Sequence, residues 1–266
     1  MSTITLGSIT VGYDDEGDGD PLVLVHGHPF NRSMWQPQVE HFGSSGWRVI
    51  VPDLRGYGET TVVPGKTPLA TFAHDVVALL DHLQVERVAL GGLSMGGQIV
   101  MEIHRLFPER IRGLVLADTT PQAETNHGRE QRSTMADRLL REGMRPYATE
   151  VLSKMLAPYN IDAQPAIAEH VLTMMLATSP DGAAAALHGR AERPDYVSML
   201  EEVAVPALVV VGADDEFTPI SEARLMADRI PHATLAVIDG AAHMPNLEQR
   251  VAFDDVLQTF LDSLSN

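Results

Sequence analysis

The chain has 266 residues and carries 36 Asp and Glu against 19 Lys and Arg, a formal charge of −17 at pH 7. That acidity argues against nucleic-acid and anionic-membrane partners, and it disfavours anionic substrates unless a local field overrides it. A hydrophobic content of 44% supplies a substantial core, a charged fraction of 21% is too low for a disordered chain, and the absence of cysteine excludes disulfides, thiolate catalysis and Cys-bound metals.

In chain order, residues 4–13 alternate in the β manner around Gly7-Ser8, which predicts a hairpin. The acidic, glycine-rich stretch 14–20 reads as a loop. The N-terminal segment lacks the basic and apolar regions of a secretion signal, and no apolar run approaches the ~20 residues needed to span a bilayer. With no cysteine, a cytoplasmic location is expected.

Short Val- and Leu-rich runs follow at 21–25, 47–51, 87–90, 114–117, 207–211 and 234–238, and they suit buried parallel strands. Between them lie helical patterns. Residues 71–83 place Phe72, Val76, Leu79, Leu80 and Leu83 on one face, and 95–107 forms a second such segment, stopped by Pro108. Strands alternating with helices predict a mostly parallel, doubly wound α/β sheet.

The alternation lapses between Thr119 and Val203, a stretch rich in Ala, Met, Leu, Arg and Glu. Four helices are expected there, at 130–142, 146–156, 165–178 and 181–190. The predicted organisation is a core of residues 1–120 and 203–266 with a helical lid, 121–202, inserted into it. Met144, Met155, Met174, Met175 and Met199 are read as lid core, the alternative being the lining of an adaptable apolar pocket. An amphipathic lid helix can pack on the core or on a second copy, so a homo-oligomer stays open.

The strongest chemical signal is Gly92-Leu93-Ser94-Met95-Gly96, lying directly after a predicted strand and directly before a predicted helix. A tight strand-to-helix turn of this pattern exposes a serine at a helix N-terminus, where backbone N–H groups favour developing negative charge. Serine needs a base oriented by a third group. His243 lies in a small-residue loop after the last strand, whereas His232 precedes that strand. The acid should follow the strand 207–211, where Asp214, Asp215 and Glu216 are adjacent, with Asp118 at the end of the strand 114–117 as a further rival. Spacing does not choose among them. For the oxyanion, the N–H groups of Met95 and His28 are the expected donors, since Pro29 has none. His26 is read as structural, and His74, Asp75 and His82 as surface residues. No metal-ligand spacing and no dinucleotide loop is present, so no metal and no cofactor are expected.

Together, His-Gly-His-Pro at 26–29, Asp53-Leu-Arg-Gly-Tyr-Gly58, Gly-Leu-Ser-Met-Gly-Gly at 92–97, Phe-Pro-Glu-Arg at 107–110, and the late Asp215 and His243 resemble the α/β-hydrolase superfamily. Two subgroups are most similar: bacterial serine aryl esterases with the cofactor-free perhydrolases, and the 3-oxoadipate enol-lactonases. In the family the acid lies three residues after a strand-end glycine and four before a proline. Gly212 and Pro219 match that frame, and the resemblance thereby implies Asp215. His28 stands where the perhydrolases commonly carry an aromatic residue. Relatives with epoxide hydrolase or dehalogenase activity have Asp at the nucleophile, and Ser94 excludes those activities. The expectation is a serine hydrolase of a small, fairly apolar ester or lactone, using Ser94, Asp215 and His243. The rivals are perhydrolysis or C–C bond hydrolysis on the same triad, and a low-turnover ligand receptor.

Overall fold

A computed structural model describes residues 2–264. Eight strands form one sheet: β1 (Ser2–Leu6), β2 (Ile9–Glu16), β3 (Asp20–Val25), β4 (Trp47–Pro52), β5 (Val88–Leu93), β6 (Ile111–Ala117), β7 (Ala207–Gly212) and β8 (Ala233–Ile238). Their spatial order is β1-β2-β4-β3-β5-β6-β7-β8. The β1–β2 and β2–β4 pairs are antiparallel, and every later pair is parallel. The hairpin turns at Gly7-Ser8, with Leu6 opposite Ile9.

The loop expected at 14–20 is shorter than the sequence suggested. Asp14, Asp15 and Glu16 continue β2 and pair with Val51, Ile50 and Val49 of β4. Acidic residues are tolerated in this strand because cations meet them: Arg48 forms a 2.7 Å ion pair with Asp15, and Arg32 lies 3.1 Å from Asp14.

The helices are α1 (Gln36–Gly43), α2 (Leu69–His82), α3 (Met95–Leu106), α4 (Asn126–Glu142), α5 (Met144–Met155), α6 (Pro158–Ala163), α7 (Pro165–Ala177), α8 (Pro180–Ala191), α9 (Val197–Leu200), α10 (Ile220–Arg229), α11 (Pro245–Glu248) and α12 (Arg250–Leu264). The central strands are buried on both faces, and their side chains divide between two cores with a period of two. Val23 and Val25 of β3 join Phe72, Val76, Ile99 and Ile103 of α2 and α3 in one core. Leu22 and Leu24 join Val39, Phe42, Phe253 and Leu257 of α1 and α12 in the other. Each such aliphatic side chain, fully buried, contributes roughly 1.5–3 kcal/mol.

The inserted segment α4–α8 occupies the crossover from β6 to β7. It holds the four expected helices and one more, α6, too short to show periodicity. Met144, Met155, Met174 and Met175 are buried within it. The α8 end is docked tightly on the core. A Cβ at Gly182 would lie 2.1 Å from the Gly56 carbonyl oxygen, and Thr67 N–H donates to Ala185 O at 2.9 Å. Among the described residues, no helix is long and apolar enough to cross a membrane.

Candidate active site

Ser94 caps α3 with φ 58° and ψ −116°, a left-handed backbone that a side-chain-bearing residue adopts only at a cost of order 1–3 kcal/mol. The turn is tight enough that a Cβ at Gly92 would lie 2.4 Å from the Gly96 carbonyl carbon, and one at Gly96 would lie 2.2 Å from Val25 O. Glycine at both positions is therefore a steric demand. The strained serine is held by hydrogen bonds on both sides: its N–H donates to Ala117 O at 2.9 Å, and its carbonyl accepts from Thr119 Oγ1 at 2.7 Å.

The loop after β3 lies directly over this turn, since a Cβ at Gly27 would come within 3.3 Å of Ser94 Cβ. His26 has the structural role the sequence suggested. Its Nε2 accepts from Leu54 N–H at 3.0 Å, which leaves Nδ1–H to donate to Gly27 O at 2.8 Å. Burial pushes its pKa down and keeps it neutral, tying the β3 and β4 loops together. His28 is fixed by Tyr57, whose hydroxyl lies 2.8 Å from Nδ1, so the aromatic residue of the 53–58 motif sets the ring's position. Asp53 in turn is buried against Arg32, through its backbone N–H and its guanidinium.

His243 and Asp215 come together across 28 residues, with Nδ1 2.8 Å from Oδ2 and both residues buried. Asp215 Oδ1 accepts from Phe217 N–H at 2.8 Å, so the carboxylate is held at both oxygens. The rivals fall elsewhere. Asp214 and Glu216 are exposed, and Asp214 receives the Tyr159 hydroxyl. His74, His82 and His232 are exposed as well, and Asp75 is half-buried against Arg55.

Asp118 is different. It is 1% exposed, and one carboxylate oxygen lies with donor atoms of Asp215 and His243 in a group spanning no more than 4.8 Å. This is a possible metal-ligand set by residue type, but Asp215 and His243 are committed to each other and Asp118 Oδ1 already accepts from Gly212 N–H at 2.8 Å. Burial first, then the Asp215 charge, push the Asp118 carboxyl well above the usual carboxylate range. The set thus suits a neutral Asp118 beside the Asp215–His243 pair better than a cation.

Ser94, His28, Asp118 and His243 line one cavity of about 170 Å³. Its remaining wall was not foreseen. Gln98 could have been, because it lies one helical turn after Ser94 on α3 and so on the same face. Arg132, Tyr147 and Arg190 come from the inserted helices α4, α5 and α8. Of the methionines read as lid core, with a pocket lining as the alternative, Met155 alone reaches this wall, beside two arginines. An outer groove of about 820 Å³ shares Arg132, Tyr147, Leu187 and Phe217 with it.

Glu248 is a further residue the sequence did not reveal. Its Oε1 accepts from Ala242 N–H at 2.8 Å, next to His243, and its Oε2 accepts from Ala157 N–H at 2.8 Å and Asn160 Nδ2 at 2.7 Å. It therefore fastens the His243 loop to the inserted helices. Glu248→Ala should leave two buried amides without acceptors and cost roughly 2–4 kcal/mol. Thermal unfolding beside ester kinetics would read this as a lower Tm with a lower kcat; an unchanged Tm would remove the residue from this role.

A family described as alpha/beta hydrolase fold matches residues 20–249. The 3-oxoadipate enol-lactonase 2 of Acinetobacter baylyi is 30% identical over 97% of this chain and 96% of its own. The non-heme chloroperoxidase CPO-A1 of Kitasatospora aureofaciens is 29% identical over 90% of each chain. A thermophilic esterase of Thermogutta terrifontis, solved with malate bound, superposes with a TM-score of 0.97 at 35% identity over 100% of both chains. The chain belongs to the α/β-hydrolase family.

Proposed function

We propose that the protein hydrolyses carboxylic esters or lactones through an acyl-enzyme on Ser94. The observation that carries this reading is the strained Ser94 turn facing the same cavity as a His243 ring whose Nδ1 is held by Asp215. With Nδ1–H donated to the carboxylate, Nε2 is left as the base. It takes the Ser94 proton as Oγ attacks the acyl carbon. The backbone N–H groups of Met95 and His28 receive the oxyanion, each worth roughly 3 kcal/mol in such sites. His243 then protonates the leaving alkoxide, and water deacylates the enzyme by the same route in reverse. No step calls for a cofactor. Residues 121–202 act as the lid that restricts water and selects the substrate.

Relatives include an enol-lactonase and an esterase, which supports both ester and lactone substrates. The test is turnover of p-nitrophenyl acetate, p-nitrophenyl butyrate and a panel of lactones. Hydrolysis within this panel is expected, together with a stable adduct at Ser94 after treatment with an activated phosphonate. A folded sample that turns over nothing and takes no label would overturn the proposal.

A further inference from the structure

A guanidinium keeps its proton inside a protein, so a buried arginine normally has a carboxylate beside it. Two of the buried arginines here follow the rule. Arg32 meets Asp14, Asp53 and Glu59, and Arg193 lies 2.7 Å from Glu124. Arg190 does not. It is 8% exposed, it lines the cavity that holds Ser94, and among the described residues no carboxylate pairs with it. Its side chain makes one hydrogen bond, from Nε to Gln98 Oε1 at 3.1 Å. Gln98 is neutral and leaves the charge uncompensated.

The surroundings deepen the deficit. Arg132 lines the same cavity, and its partner Glu124 is shared with Arg193. Burial first, then the charges of Arg132 and Arg193, destabilise the Arg190 cation. Tyr57 and Tyr147 near it are phenols whose pKa values burial has raised, so they bring no negative charge. His28 is held neutral by burial and by the charges of Arg190 and Arg132, and its Nε2 is buried on this wall without a partner. Of the acids of the cavity region, Asp215 is bonded to His243, while Asp118 gives one oxygen to Gly212 N–H and keeps Oδ2 buried without a partner, and burial pushes it toward its neutral form, so it brings no counter-charge. The cavity therefore has a reacting part at Ser94 and a cationic part with unmet hydrogen-bonding capacity.

The geometry points to Arg190 as the anchor for an anionic group of the substrate, which makes the substrate class short esters or lactones that also carry a free carboxylate. This assignment rests on Ser94 as the nucleophile. It reverses both the fairly apolar substrate expected of the hydrolase and the general preference set by a charge of −17, because a desolvated local field outweighs a diffuse, screened one. A carboxylate can accept from the guanidinium in the bidentate manner and give Arg190 the counter-charge it lacks. Arg190 would thus determine specificity without taking part in bond making.

The test compares two methyl esters of matched length, monomethyl glutarate and methyl pentanoate, followed by pH-stat at neutral pH. Wild-type kcat/KM should favour the monoanion by roughly 100-fold. Arg190→Met should bring that ratio close to one, chiefly through KM, and Arg190→Lys should restore part of it. Glutarate, and not glutaramide, should compete with p-nitrophenyl acetate for the wild-type site, a measurement that stands even if the Met variant does not fold. A wild-type ratio at or below one, a ratio unchanged in Arg190→Met, or equal inhibition by acid and amide would overturn the assignment. Each of those results in a Ser94-dependent enzyme leaves the hydrolase reading standing, whereas p-nitrophenyl acetate turnover that survives Ser94→Ala brings down the nucleophile itself.

Discussion

Ser94→Ala should lower kcat for p-nitrophenyl acetate by roughly ten-thousand-fold or more while leaving Tm where it is. The loss is large because the remaining groups can only position water and polarise the carbonyl. The fold survives because alanine occupies the same backbone with one heavy atom fewer, and the turn is held by the residue-94 N–H donating to Ala117 O and its carbonyl accepting from the Thr119 hydroxyl, which the substitution does not touch. Ser94→Gly should separate chemistry from strain. At φ 58° and ψ −116°, glycine relieves a conformation that serine adopts at a cost. Offset by the extra entropy of glycine in the unfolded chain, the net gain is about 1 kcal/mol. That gain is worth roughly 2–4 °C in Tm for a chain of this size. Calorimetry of both variants beside their kinetics checks the pair. A stabilised, inactive Ser94→Gly would mean that the turn stores strain for the nucleophile's sake, and a destabilised one would refute that account.

What the sequence makes legible here is what local chemistry encodes. The strands were readable because parallel strands buried on both faces need continuous Val and Leu runs, and Leu22–Val25 and Ala207–Val211 have them. The elbow was readable because its steric demand for glycine at positions 92 and 96 is written within five residues. The continuation of β2 through Asp14–Glu16 was not, because its acidic residues are matched by Arg32 and Arg48, which are remote in sequence. The same holds for the site. Asp215 emerged only through a resemblance, since three adjacent carboxylates have the same local pattern and only burial and the contact with His243, both tertiary, separate them. Glu248 acts through backbone amides of other segments, which leave no mark on the sequence, and Asp118 was legible as a strand-end acid while its bond to Gly212 N–H was not. Arg190 did leave one: it is a lone cation at the end of the small apolar run 183–191, where a surface helix would carry several charges.

Asp215→Asn should lower kcat by roughly ten-thousand-fold, because an amide that donates to Nδ1 fixes the wrong imidazole tautomer and leaves the imidazolium without a counter-charge. Asp118→Asn should cost less than about tenfold, although Asp118 sits as close to the pair. The distinction follows from where the protons are. Asp118 is pushed well above the usual range by burial and by Asp215, so it holds a proton under conditions where an unfolded aspartate, with a pKa of about 3.9, has lost it. A protonated carboxyl beside Asp215 can support that carboxylate, and asparagine reproduces both its neutrality and its donor. The same logic fixes a sign for stability. A group whose folded pKa is raised contributes stability below its unfolded pKa and loses it as pH rises through the folded value. Asparagine at 118 has no such loss, so the Tm of Asp118→Asn relative to wild type should increase as pH rises above about 4, the unfolded value. If instead Asp118→Asn were as inactive as Asp215→Asn, or its relative Tm fell over that range, Asp118 would have to be ionised in the native protein. The cluster would then be two charged acids serving one histidine.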